Sequence, residues 1–148
     1  MSTTLYAWIA LLALLLARPA LALELALVVH KSNPVVLSQE QLQHILLNKQ
    51  KFFGKGQKIH LYHLPPRSDA HMLVCQRLLD LTAAQYQSYW SRLLFTGNAD
   101  ALQYMESSEV LQQVASDPDA LGYVPLTEVT PQVRVLGVLT EQGFQRSP

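Results

Sequence analysis

The feature that most constrains this chain is an alternation. Short apolar runs of strand length take turns with segments that open on a helix cap. Leu25-Ala-Leu-Val-Val-His30 is apolar and partly β-branched, and Lys31-Ser-Asn-Pro34 closes it with turn chemistry. Ser38-Gln-Glu-Gln41 is a capping box, in which the serine hydroxyl and the glutamine satisfy each other's orphan backbone donors. Leu42, Ile45 and Leu46 then fall on one face at helical spacing. The stretch 48–58, which holds Lys49, Lys51, Lys55 and Lys58, reads as an exposed loop. Ile59-His-Leu-Tyr-His-Leu64 alternates as a second strand does, and Pro65-Pro66 stops it. Ser68 opens a helix with Met72, Leu73, Leu78 and Leu79 apolar, and Thr82-Ala-Ala-Gln85 is a second capping box. The helix it starts carries Tyr86, Tyr89, Trp90, Leu93 and Leu94 and ends at Gly97-Asn98; the aromatic group reads as core packing. Ser107 or Ser108 is expected to cap a further helix burying Val110, Leu111 and Val114, ended by Asp117-Pro118. Leu121–Pro125 and Val133–Leu139 are the last two strands expected. The pattern predicts one compact α/β domain, a mixed sheet flanked by helices.

Ahead of that domain, Leu5 to Ala17 form one apolar run, broken by Arg18-Pro19 and followed by the small-x-small triplet Ala20-Leu21-Ala22. A run of about a dozen residues falls short of the roughly 20 that span a bilayer. It matches an export signal cleaved after Ala22, leaving a domain over 23–148. The alternative is an uncleaved anchor, because no Lys or Arg precedes the run. The expected location is the periplasm, with no stable membrane insertion after cleavage.

Eleven basic and eleven acidic residues balance, and loss of Arg18 leaves ten against eleven. Near-neutrality argues against a nucleic-acid partner, which needs a basic face, and leaves a small-anion site open. The single cysteine, Cys75, sits among Met72, Leu73, Val74 and Leu78 and reads as a buried, inert thiol. No nucleophile elbow, phosphate loop or activated cysteine stands out, so the chain does not read as an enzyme, and no cofactor is implied.

Four stretches, in order, carry a resemblance: Val28-Val-His-Lys-Ser-Asn-Pro34, then Ile45-Leu-Leu-Asn-Lys-Gln-Lys-Phe-Phe53 with Gly56, then Gln85 to the Phe95-Thr-Gly97 turn, then Asp117-Pro-Asp-Ala-Leu-Gly-Tyr-Val124. Together they resemble the short phosphate ABC transporter substrate-binding-like proteins, relatives of the type II periplasmic binding proteins. The resemblance implies part of that fold, little more than one lobe of a two-lobed protein. It also implies a small oxyanion such as phosphate as ligand, and ABC transporter membrane subunits or an envelope sensor as partners. A module that keeps the fold without a ligand is the alternative.

In the larger relatives phosphate sits at a helix start after an Arg and a Gly-Ser-Gly-Thr-like turn. The matching residues here are Arg67, Ser68, Asp69, Ala70 and His71. A helix start offers unpaired N–H groups and the positive end of its dipole, and a guanidinium adds a bidentate clamp. Asp69 departs from the pattern by bringing a negative charge. The competing reading is an ordinary capped start, with Ser68 as the cap and Asp69 favoured by the dipole. Ser32 and Asn33 follow the first strand, where ligands of open α/β sheets often sit, or form a plain turn before Pro34. Thr96 is open between site lining and helix termination. Among the histidines, His60 and His63 point to opposite faces of their strand, which leaves His63 and His71 with Asp69, a set short of the tetrahedral ligand count of zinc.

Overall fold

The computed structural model describes residues 22–54 and 56–148. The expected export segment lies outside the described residues, as does Lys55. Among the described residues no helix is long and apolar enough to cross a membrane.

The elements run β1 (Leu25–His30), α1 (Gln39–Leu46), β2 (His60–His63), α2 (Asp69–Leu79), α3 (Ala83–Phe95), β3 (Gln103–Tyr104), α4 (Ser107–Ser116), β4 (Ala120–Pro125), β5 (Val133–Thr140) and β6 (Gly143–Arg146). The strands form one mixed sheet in the order β3-β2-β4-β1-β5-β6. β2 pairs parallel with β3 and β4, whereas β1 pairs antiparallel with β4 and β5. β1 is therefore central, and Leu25 to Val29 are each 2% exposed or less. Covered on both faces, that strand needs an unbroken apolar run rather than alternation. The pairing of β1 with β5 shifts register between Leu27 and Val28, so that Leu136 is the extra residue of a bulge. β6 folds back on β5, and Phe144 lies over Gly137, where an added Cβ would meet its ring at 2.5 Å.

Both capping boxes form as the sequence predicts, at Ser38/Gln41 and Thr82/Gln85. The expected cap of α4 does not. Glu106 occupies the N-cap with no side-chain cap bond, and the Ser107 hydroxyl instead donates to Glu128 Oε1 at 3.0 Å. Two strands go beyond the sequence reading. β3 is two residues of edge pairing, and β6 is short and half exposed, so neither leaves a long apolar signature.

Neighbouring residues of β4 divide the two faces of the sheet. A Cβ on Gly122 would stand 2.7 Å from Val110 Cγ1 and 3.5 Å from Val114 Cγ2, so α4 packs directly on that face. Tyr123 points to the other face, as strand alternation requires, and meets His71 of α2. α1 and α3 both pack against α2. Cys75, Tyr86 and Trp90 form the core between α2 and α3, so the thiol is buried and the aromatic group is packing, as the sequence suggests.

Candidate anion site at the start of α2

The end of β2 delivers the chain through Pro65-Pro66 to the start of α2. Ser68 is extended (φ −72°, ψ 146°) and caps the helix, its hydroxyl oxygen accepting the His71 N–H at 3.1 Å. The same hydroxyl donates to the Pro65 carbonyl at 2.6 Å. The Ser68 N–H donates to that carbonyl as well, at 2.9 Å, closing a tight turn. The hydroxyl proton is thus already engaged, and the first-turn amides left over are those of Asp69 and Ala70. Arg67 and Asp69 are exposed and, among the described residues, form no ion pair with each other. The Asp69 carboxylate belongs to the same first turn as these amides. Ala70 is buried and anchors the turn.

The structure gathers Arg67, Ser68, Asp69, Ala70 and His71 at one end of the sheet. Ser32, Asn33 and Thr96 lie at the other. β1 runs antiparallel to β4 and β2 parallel to it, so the end of β1 and the start of β2 share an edge away from α2's first turn. There Ser32 Oγ pairs with His30 Nδ1 at 2.7 Å, and Asn33 Oδ1 accepts the Val35 N–H at 3.0 Å. Arg134 reinforces this turn by donating to the carbonyls of Asn33 and Val35. Thr96 terminates α3, its hydroxyl donating to the Arg92 and Leu93 carbonyls. A groove of about 180 Å³, open to solvent and lined by Asn48, Lys51, Lys58, His60 and Trp90, also lies at this far end. Asp100 neutralises its Lys58 at 3.0 Å.

His60 and His63 separate as their strand parity demands. His60 is exposed and its Nδ1 stands 2.7 Å from Asp117 Oδ2. With Asp119 it makes a group whose ligand atoms lie within 4.8 Å of one another. Local structure accounts for this group: Asp117 Oδ1 accepts the Asp119 N–H at 2.9 Å, and Oδ2 accepts the Tyr62 hydroxyl at 3.3 Å. Burial pushes the Asp117 carboxyl up, and these donors outweigh it and hold the group below its usual range.

His63 and His71 are buried and meet across the Tyr123 hydroxyl, His63 Nδ1 at 3.1 Å and His71 Nδ1 at 2.8 Å. The remaining nitrogens reach Tyr86 Oη (3.4 Å) and Cys75 Sγ (3.5 Å) respectively. Asp69, exposed on the first turn, is not part of this cluster. Burial pulls His63 down to about 3, with His71 beside it adding to the effect, and burial pulls His71 down to about 4. Both rings are therefore neutral at pH 7. The same burial pushes the Cys75 thiol up to about 11, which keeps it protonated and unreactive. The sequence reading overlooked Tyr123. The available signal was its place next to Gly122 in a buried strand, which puts it on the α2 face.

No family model matches the chain, and no curated relative matches it. Solved structures do. A Clostridium perfringens protein assigned as a phosphate ABC transporter substrate-binding protein, with phosphate bound, is 20% identical with a TM-score of 0.62 over 77% of this chain and 44% of its own. An ABC-type phosphate transport receptor from Vibrio cholerae is 21% identical with a TM-score of 0.52, covering 79% of this chain and 47% of its own. A possible phosphate binding protein from Planctomyces limnophilus is 14% identical with a TM-score of 0.57, covering 78% and 42%. This chain therefore has the fold of part of these binding proteins, the same group that the sequence resemblance points to. It spans less than half of their length.

Proposed function

We propose that this chain is an exported solute-binding-like protein that takes phosphate or a similar small oxyanion at the start of α2. The observation that carries this reading is the coincidence of a fold shared with phosphate-binding proteins and a helix start, with its first-turn Asp69 and Ala70 amides, that directly follows the exposed Arg67. Two amides and the helix dipole hold an oxyanion's near face, and Arg67 closes over the outer oxygens. Ser68 contributes its hydroxyl by exchanging the Pro65 carbonyl for the ligand. The ligand reaches the periplasm-facing chain there, and the likeness to transport receptors makes ABC transporter membrane subunits the natural partners. Because the relatives of this fold are binding proteins, no catalytic step is assigned.

Calorimetric titration of the full chain with inorganic phosphate tests this directly. Saturable binding is expected, weakened at least tenfold in Arg67→Ala and in Ser68→Ala, the latter measured well below its melting temperature because it also loses a helix cap. Absence of heat and of any phosphate-dependent thermal shift refutes the site.

Two observations favour a second reading. The Ser68 hydroxyl is already satisfied on both sides, and Asp69 adds a like charge at the ligand position. A chain that keeps the fold as a ligand-free interaction or sensing module would look like this. Asp69→Asn separates the two: it strengthens phosphate binding under the first reading and changes nothing under the second.

A further inference from the structure

Side chains from α2, α3, β2 and β4, with one carbonyl from the end of α1, form a single hydrogen-bonded chain whose proton order is fixed by its ends. The Tyr86 hydroxyl has one proton, and the Leu46 carbonyl at 2.7 Å can only accept it. His63 Nε2, 3.4 Å from Tyr86 Oη, must then be the nitrogen that carries hydrogen. His63 Nδ1 is left as an acceptor and takes the Tyr123 hydroxyl proton. Tyr123 Oη in turn accepts from His71 Nδ1–H, and His71 Nε2 accepts the Cys75 thiol proton. Each ring is a neutral, defined tautomer, and among the described residues no buried side-chain nitrogen or oxygen lacks a partner.

A second proton has no place in this order. On His63 Nδ1 it would face the Tyr123 O–H, donor against donor, and on His71 Nε2 it would turn the Cys75 sulfur from donor into acceptor, a role that sulfur fills only weakly. The groups facing the two rings are Tyr123 from β4, Tyr86 from α3, Tyr104 from β3 and Cys75 from α2. Among the described residues no carboxylate pairs with either ring to compensate a positive charge. His71 is also the residue whose backbone N–H is capped by Ser68, so the chain ends in the first turn of α2.

We propose that this chain is an acid-operated latch: it holds the first turns of α2 on the sheet while each ring carries one proton, and releases them when either takes a second. The latch belongs to the fold and stands whether or not the helix start takes an anion. Both rings titrate far below an ordinary histidine while the latch is closed and near 6.5 once it is open. Acid therefore opens it with net proton uptake.

The test is histidine-ring nitrogen NMR on the chain as purified from its expressing cell, from pH 7.5 downward. The expected result is the Nε2–H tautomer for His63 and the Nδ1–H tautomer for His71. Both rings should stay neutral through pH 6 and then protonate together with loss of amide protection in residues 70–75. Reversed tautomers, or either ring titrating near 6.5 while those amides stay protected, overturn the proposal. His71→Asn keeps a donor toward Tyr123 and cannot titrate here. Its acid transition should fall to lower pH and take up one proton fewer, and an unchanged transition counts against the latch. If that variant does not fold, the ring spectra of the native chain still decide.

Discussion

Gly122 and Tyr123 are neighbours in β4, and the faces they serve are held by different physics. On the Gly122 side, α4 rests on the strand through the apolar side chains of Val110 and Val114, both fully buried. Such packing is close and indifferent to pH. On the Tyr123 side, two imidazoles, two phenols and a thiol are buried together, and each donor must meet an acceptor in a set order. A dry face tolerates any condition that leaves its volume unchanged. A polar face tolerates any condition that leaves its protons unchanged.

Acid should separate the two faces most strongly. Both histidines have folded values below the ordinary 6.5, so the unfolded chain binds more protons between those values. Their contribution is complete above pH 6.5 and is lost as pH falls toward 4 and then 3. At about 1.4 kcal/mol per unit of displacement, each ring accounts for about 3–5 kcal/mol. Urea melts at a series of pH values check this, and a stability that stays flat from pH 7 to 4.5 removes the contrast. A smaller effect is expected from Gly122→Leu, which drives a side chain into Val110 and should cost about 1–3 kcal/mol. Its cost should be equal at pH 7.5 and pH 5.5, and a strong pH dependence would mean that the faces are coupled. Tyr123→Phe should cost least, about 1–2 kcal/mol at neutral pH, by leaving the His71 N–H without an acceptor. The same melts read it, and a loss below 0.5 kcal/mol would show that the hydroxyl does not join the rings.

The contrast also explains what the sequence made legible. Local chemistry was readable: both capping boxes, the Gly97 turn and the apolar run of β1 need only a few adjacent residues. The α2 start was placed by its serine cap, and the candidate residues Arg67 to His71 are contiguous in sequence. Ser32, Asn33 and Thr96 could not be assigned to one end or the other without knowing that β1 runs antiparallel to β4. Ser107 misled because its hydroxyl finds Glu128, a partner 21 residues away, in place of its own helix. The pairing within the histidine–tyrosine chain is hidden for the same reason, since His63 and Tyr123 stand 60 positions apart.

Cys75 gives this molecule an internal clock. Its sulfur is fully buried between α2 and α3, at the far end of the proton-ordered chain, with its proton retained by burial. A thiol reagent cannot reach it until α2 lifts, so the rate of labelling counts openings one molecule at a time. With no second cysteine in the sequence, that count needs no engineering and comes from a single position.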